Sequence, residues 1–228
     1  MSIHSPPTVY MGRLALHEEI DTGSDVYLAL GLKEKKNGTL EKPPVLEILS
    51  ILLERIAKKN EMLAQSKVIE DVMTDFHGIR APEMGVEQYL DRLFRHAACS
   101  PSCFVAAFIY VDKFLQRKNG YLTSLNVHRL LITSVMVAAK FIDDAFFDNA
   151  YYAKVGGIST RELNKLEMKL LFDLDFRLQI PTETFRKYCL MLEKEALGGL
   201  MMESSYWHDC KISIPNHLSE SIKTPSCQ

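Results

Sequence analysis

Three groups of residues have the types that chemistry needs. Asp143, Asp144 and Asp148 stand close together, and clustered carboxylates can hold Mg²⁺ against a diphosphate. Their spacing departs from the aspartate-rich arrangement such sites use, and no second metal motif follows. A solvated loop after a helix is the simpler reading. His96, Cys99 and Cys103 are potential zinc ligands, but Pro101 interrupts them and a full set of four ligands is not evident. Lys154-Val155-Gly156-Gly157 lacks the glycine spacing and the Lys-Ser/Thr pair of a phosphate loop. No serine, histidine and acid are grouped for nucleophilic catalysis. The expectation is a chain with no catalytic residues, no metal, no cofactor and no small-molecule substrate.

Charges set inside apolar stripes carry more information. Leu163, Leu166, Leu170, Leu171 and Leu174 repeat with a helical period, and at about 100° per residue Glu167 falls near the middle of that stripe. A carboxylate there must find a partner or bear a desolvation cost. Lys140 is similar: it follows the apolar run Val135 to Ala139 and shares a face with Ile132 and Met136. Asp112 is the third case, surrounded by apolar residues within Phe104–Leu115. For Asp112 the expectation is a structural ion pair with an arginine of the preceding helix, Arg92 or Arg95. Lys140 and Glu167 admit two readings. They pair inside the fold, or they form the polar centre of an exposed apolar patch that receives another protein.

The elements that must position these residues are helical almost throughout. Residues 1–43 read as an N-terminal tail, with a short amphipathic piece near Val26–Leu32 and a Lys33–Lys36 cluster. Val45, Leu46, Leu49, Leu52, Leu53 and Ile56 mark a first helix, and a weaker one is expected before His77-Gly78. A helix follows at Val86–Ala97. Ser100-Pro101 opens another, because serine suits the cap and proline the first turn. A third strong helix spans about Leu125 to Asp143, and a short one near Asn149–Val155 ends at Gly156-Gly157. Ser159 with Glu162 forms a capping-box pattern for the helix from Thr160, and Pro181-Thr182 opens the last, which Gly198 stops. The domain is thus expected at 44–197, with a C-terminal tail at 198–228.

The chain has 228 residues, 47% of them hydrophobic and 25% charged, as in an ordinary globular domain. A formal net charge of −2 leaves no excess of positive charge to neutralise a phosphate backbone, so nucleic acid is not an expected partner. The longest apolar run, Phe104 to Val111, is too short to span a bilayer. Five cysteines, an odd number without a leader-like segment, suggest reduced thiols. The expected location is the nucleus and/or the cytoplasm.

Several separated stretches then resemble one family. Tyr110-Val111-Asp112-Lys113-Phe114-Leu115, then Val137-Ala138-Ala139-Lys140-Phe141, then Leu166-Glu167 with Phe176 beyond, resemble the cyclin box. The stretches from Val127 to Ser134 and from Asn149 to Ser159 narrow the likeness to the U-type (P-type) cyclins of plants, a group related to the fungal phosphate-signalling cyclin. The resemblance covers about residues 45 to 196. It implies an all-α fold, a single five-helix cyclin box with an added N-terminal helix and a partial C-terminal helix. It further implies a regulatory subunit that forms a heterodimer with a cyclin-dependent kinase and activates it, in cell-cycle or phosphate signalling. By the same resemblance, Lys140 and Glu167 bind the kinase near its mobile C-helix, and Val137, Phe141, Leu171 and Phe176 pack against that helix. The chain is too short for the second helical repeat of cell-cycle cyclins, and Met84–Leu90 does not reproduce their substrate-docking motif.

Two other functions are compatible with helical chains of this kind. A cyclin-fold adaptor in transcription, like transcription factor IIB, would share the fold, and the acidic balance argues against it. A metal-dependent prenyl or terpene synthase would need the aspartates discussed above.

Overall fold

Helix α4 (Pro101–Lys118) and helix α5 (Val127–Ile142) are apolar on nearly every side, and they pack against one another at the centre of the molecule. Every residue from Cys103 to Asp112 is buried, as is every one from Leu130 to Ala139. The computed structural model describes residues 26–32 and 42–198. Among these the remaining helices are α1 (Val26–Ala29), α2 (Pro44–Gln65), α3 (Val86–Ala97), α6 (Asn149–Gly156), α7 (Thr160–Asp173) and α8 (Thr182–Ala196), with no strand. Helices α3, α6 and α7 cover α5, while α2 and α8 cover α4. The five helices α3 to α7 form the expected box, with α2 before it and α8 after it.

Local chemistry sets the boundaries. Pro101 occupies the first turn of α4, and the helix closes at Asn119 in the left-handed conformation. Ser100 stands at the cap position, but its hydroxyl donates to Asp143 Oδ1 at 2.8 Å instead of capping. Asp148 caps α6: its Oδ1 accepts from Tyr151 N at 2.8 Å. Gly157, at φ +72°, ends the same helix where a side chain would be strained. Ser159 caps α7 by accepting from Glu162 N at 3.1 Å. The capping box is only half made, because the Glu162 carboxylate pairs with Arg129 at 2.5 Å.

Two expectations are corrected. The short amphipathic piece expected near Val26–Leu32 is present as α1, but it does not belong to a tail: residues 26–32 pack into the core through Val26, Leu30 and Leu32, and Tyr27 stacks on Phe185 of α8. Their burial of apolar surface outweighs the lack of a long helical pattern. The weak helix expected before His77 is absent. Helix α2 runs unbroken to Gln65, and a non-helical segment follows. There Thr74 N donates to His77 Nδ1 at 2.9 Å, and Phe76 N to Thr74 Oγ1 at 3.3 Å, so side chains take the backbone groups a helix would use. Residues 1–25, the Lys33–Lys36 cluster, two of the five cysteines (Cys210 and Cys227) and the expected tail from 199 lie outside the described residues. No helix among the described residues is long and apolar enough to cross a membrane.

Candidate docking site

Lys140 lies in the last turn of α5, where a cation suits the helix dipole. Glu167 lies in the middle of α7, and Asn149 is the first residue of α6. The three side chains meet. Lys140 Nζ donates to Glu167 Oε1 at 2.7 Å and to Asn149 Oδ1 at 2.5 Å. Asn149 Nδ2 donates to Glu167 Oε2 at 2.6 Å and to Asn164 Oδ1 at 2.7 Å. The Lys140 side chain is 26% exposed and that of Glu167 16%, so both charges remain within reach of another molecule. The two misplaced charges of the sequence thus pair with each other and also reach the surface.

Exposed apolar side chains are carried on the same elements. Phe141, next to Lys140, is 51% exposed, and Leu171, one turn beyond Glu167, is half-buried. Phe176, 55% exposed, packs edge-on against Phe172 with ring centroids 5.2 Å apart. Asp175 and Phe176 both adopt positive φ, 59° and 55°, which is uncommon for residues with a side chain. Phe176 N donates to Leu171 O at 2.9 Å, and Tyr110 holds the segment beyond by donating its hydroxyl to Leu178 O at 2.7 Å. This turn directs the chain away from α7 and leaves Phe176 at the surface. Beside Phe141 an apolar groove of about 270 Å³ is lined by Ile142, Leu178, Ile180 and Phe185.

Two sequence assignments change. Val137 is 2% exposed and belongs to the core, because α5 is enclosed on all sides over this stretch. The expected pair between Asp112 and Arg92 is not formed. Arg92 faces α6, where its Nη2 donates to Lys154 O at 3.2 Å. Asp112 faces α8: fully buried, it accepts from Gln116 Nε2 at 2.8 Å and from the Tyr188 hydroxyl. Arg95, the other candidate, is exposed and lies 3.9 Å from Asp91.

The sequence reading missed Phe172, 64% exposed, and Asn149. Phe172 follows Leu171 at the edge of the α7 stripe, a position periodicity leaves ambiguous. Asn149 looks like an ordinary helix-start residue, and its partners are distant in sequence. The three aspartates do not converge. Asp143 accepts from Ser100 N and Oγ and from Cys103 Sγ, tying the end of α5 to the start of α4, while Asp148 caps α6. The hydrogen bond with the neighbouring Cys99 thiol, and then burial, hold the Cys103 thiol well above its ordinary pKa, so it stays protonated. No group of three or more His, Cys, Asp or Glu able to hold a metal occurs among the described residues.

Residues 44–178, helices α2 to α7, match the cyclin family model. The chain belongs to the cyclin family. It is 56% identical over 183 residues to Cyclin-P3-1 of Oryza sativa subsp. japonica, covering 79% of this chain and 77% of that protein. It is 48% identical over 191 residues to Cyclin-U3-1 of Arabidopsis thaliana, covering 82% and 85% respectively. Cyclin-U4-1 of Arabidopsis thaliana is 49% identical over 161 residues, covering 68% of this chain and 80% of that protein. The likeness to plant U-type and P-type cyclins read from the sequence therefore holds. Cyclins are regulators rather than catalysts, which gives this chain a regulatory role.

Proposed function

We propose that this cyclin binds a cyclin-dependent protein kinase as a heterodimer and activates it, with Lys140 and Glu167 at the centre of the contact. The observation that carries the reading is the Lys140–Glu167 pair, at 2.7 Å and partly exposed, with exposed Phe141 next to Lys140 in the chain and exposed Phe172 and Phe176 at the end of α7. An apolar surface with a charged, hydrogen-bonding centre suits a helix end, whose last backbone groups lack partners.

Activation follows from kinase chemistry. A protein kinase is active when its C-helix glutamate pairs with the lysine that holds the ATP phosphates. A partner that binds only the inward position of that helix shifts the population by its differential affinity. A regulatory contact of this kind buries on the order of 2,000 Å² or more. The action falls in cell division or phosphate signalling, in the nucleus or cytoplasm.

The test is an affinity pull-down from cell extract with wild-type, Lys140→Glu and Glu167→Lys protein, assayed for protein kinase activity. Wild type should recover a kinase, and neither variant should, while both keep the helical circular dichroism of wild type. Recovery by either variant would exclude this face, and no recovery by wild type would turn the search towards adaptor functions.

A further inference from the structure

We propose that Asn149 is a positioning residue for docking: its amide holds Lys140 and Glu167 in the arrangement that receives the kinase. The inference rests on the kinase-docking reading above and adds a third residue to it.

The amide is bifunctional, and both functions are used. Oδ1 accepts from the Lys140 ammonium at 2.5 Å, and Nδ2 donates to Glu167 Oε2 at 2.6 Å. With the Lys140–Glu167 bond of 2.7 Å, the three side chains close a ring across α5, α6 and α7. The opposite charges admit one amide orientation, since the flipped one would set NH₂ against ammonium and oxygen against carboxylate. Asn164 Oδ1 accepts the remaining Nδ2 hydrogen at 2.7 Å and fixes the amide further.

Asn149 is not needed to start its helix. Asp148 supplies the cap through Tyr151 N, so truncating Asn149 leaves the start of α6 intact. Its side chain acts on the docking pair instead. A lysine has several rotatable bonds, and ordering such a chain on association costs affinity. Asn149 orders Lys140 beforehand. Two of the three ammonium hydrogens are used among the described residues, which leaves one for an acceptor on the partner.

Two measurements test this. In the free protein, the ¹H–¹⁵N ammonium signal of Lys140 should be protected from solvent exchange, and Asn149→Ala should reduce that protection by removing one of its two acceptors. The dissociation constant for the kinase recovered by wild type should rise roughly threefold to tenfold in Asn149→Ala, the effect of one disordered long side chain. The melting temperature should fall by no more than about 4 °C, because the groups Asn149 leaves are only part-buried and can turn to water. Asn149→Asp keeps the acceptor for Lys140 but sets a second carboxylate against Glu167, and it should bind at least as weakly. Unchanged ammonium exchange, or unchanged or tighter kinase binding, overturns the proposal. So does a parallel loss of stability and affinity in both Asn149→Ala and Asn149→Ser, which would mark a structural role. If wild type captures no kinase, the docking reading falls and this inference with it, whereas normal capture with unchanged Asn149 variants overturns only the inference.

Discussion

Tyr188 of α8 donates its hydroxyl to the fully buried carboxylate of Asp112 on α4, joining the last described helix to the central one. Gln116, one turn along α4, donates to the same carboxylate at 2.8 Å. A buried carboxylate depends on such donors, and removing one weakens its stabilisation in a medium of low dielectric. Tyr188→Phe should therefore destabilise the fold by about 2 kcal/mol, the range for a hydrogen bond to a charged group. In a domain of this size, that lowers the melting temperature by about 4–8 °C. Differential scanning calorimetry of wild type and Tyr188→Phe checks this, and an unchanged transition would remove the bond from the stability of α8.

The same bond shows where sequence reasoning stops. Asp112 is visibly misplaced among apolar neighbours, but its partner is a tyrosine 76 residues away, an unremarkable residue for a core. Lys140 and Glu167 were legible as a pair because both are charges inside leucine or valine stripes, each signalling the need for the other. Val137 was misread because α5 is apolar all round from Val135 to Ala139, so periodicity cannot say which side meets solvent. The box helices were legible through their breaks: Pro101, Gly157 and Ser159 sit at the ends their chemistry favours. The stretch after Gln65 was not, since Thr74 and His77 bond to backbone groups and override local helix preference.

Close approach at one glycine sets the position of α6. A Cβ on Gly156 would lie 2.6 Å from Ile132 Cγ1 and 3.3 Å from its Cβ and Cδ1. Ile132 is fully buried and β-branched, so it cannot rotate aside. Gly156→Ala should cost about 1–3 kcal/mol by overpacking. Because α6 carries Asn149, the displaced helix should also loosen the Lys140–Glu167 ring. Combining Gly156→Ala with Ile132→Ala should cost less than the sum of the single changes. Additive losses in urea denaturation would show that the two residues do not press on each other.

Phe172 provides a test of the apolar part of the docking surface that leaves the charges untouched. It is 64% exposed in the free protein, so Phe172→Ser removes little core packing and should shift the melting temperature by under about 2 °C. If a kinase covers it, the lost burial of an aromatic side chain should weaken capture by at least about tenfold. Met62→Ser is the control. It removes a similarly exposed apolar side chain from α2 and should leave capture unchanged. Equal capture by wild type and Phe172→Ser would place the partner elsewhere on the surface.

His128 gives the fold a dependence on pH. Its Nε2 donates to Met84 O at 2.7 Å, its ring packs edge-on against Tyr89, and its buried Nδ1 has no hydrogen-bond partner among the described residues. Burial holds its pKa below the ordinary 6.5, with the Met84 carbonyl and the nearby Glu54 carboxylate opposing the shift. The folded state thus binds fewer protons than the unfolded state, and stability rises with pH across this range. The His128 contribution is complete above pH 6.5 and is lost progressively as the pH falls below it towards the depressed folded value. Melting curves at about pH 7.5 and about pH 5 should show a larger drop for wild type than for His128→Gln, which carries no proton-binding ring. The difference between the two proteins cancels the titration of groups common to both. An identical drop in wild type and His128→Gln would show that protonation of His128 does not contribute to acid sensitivity.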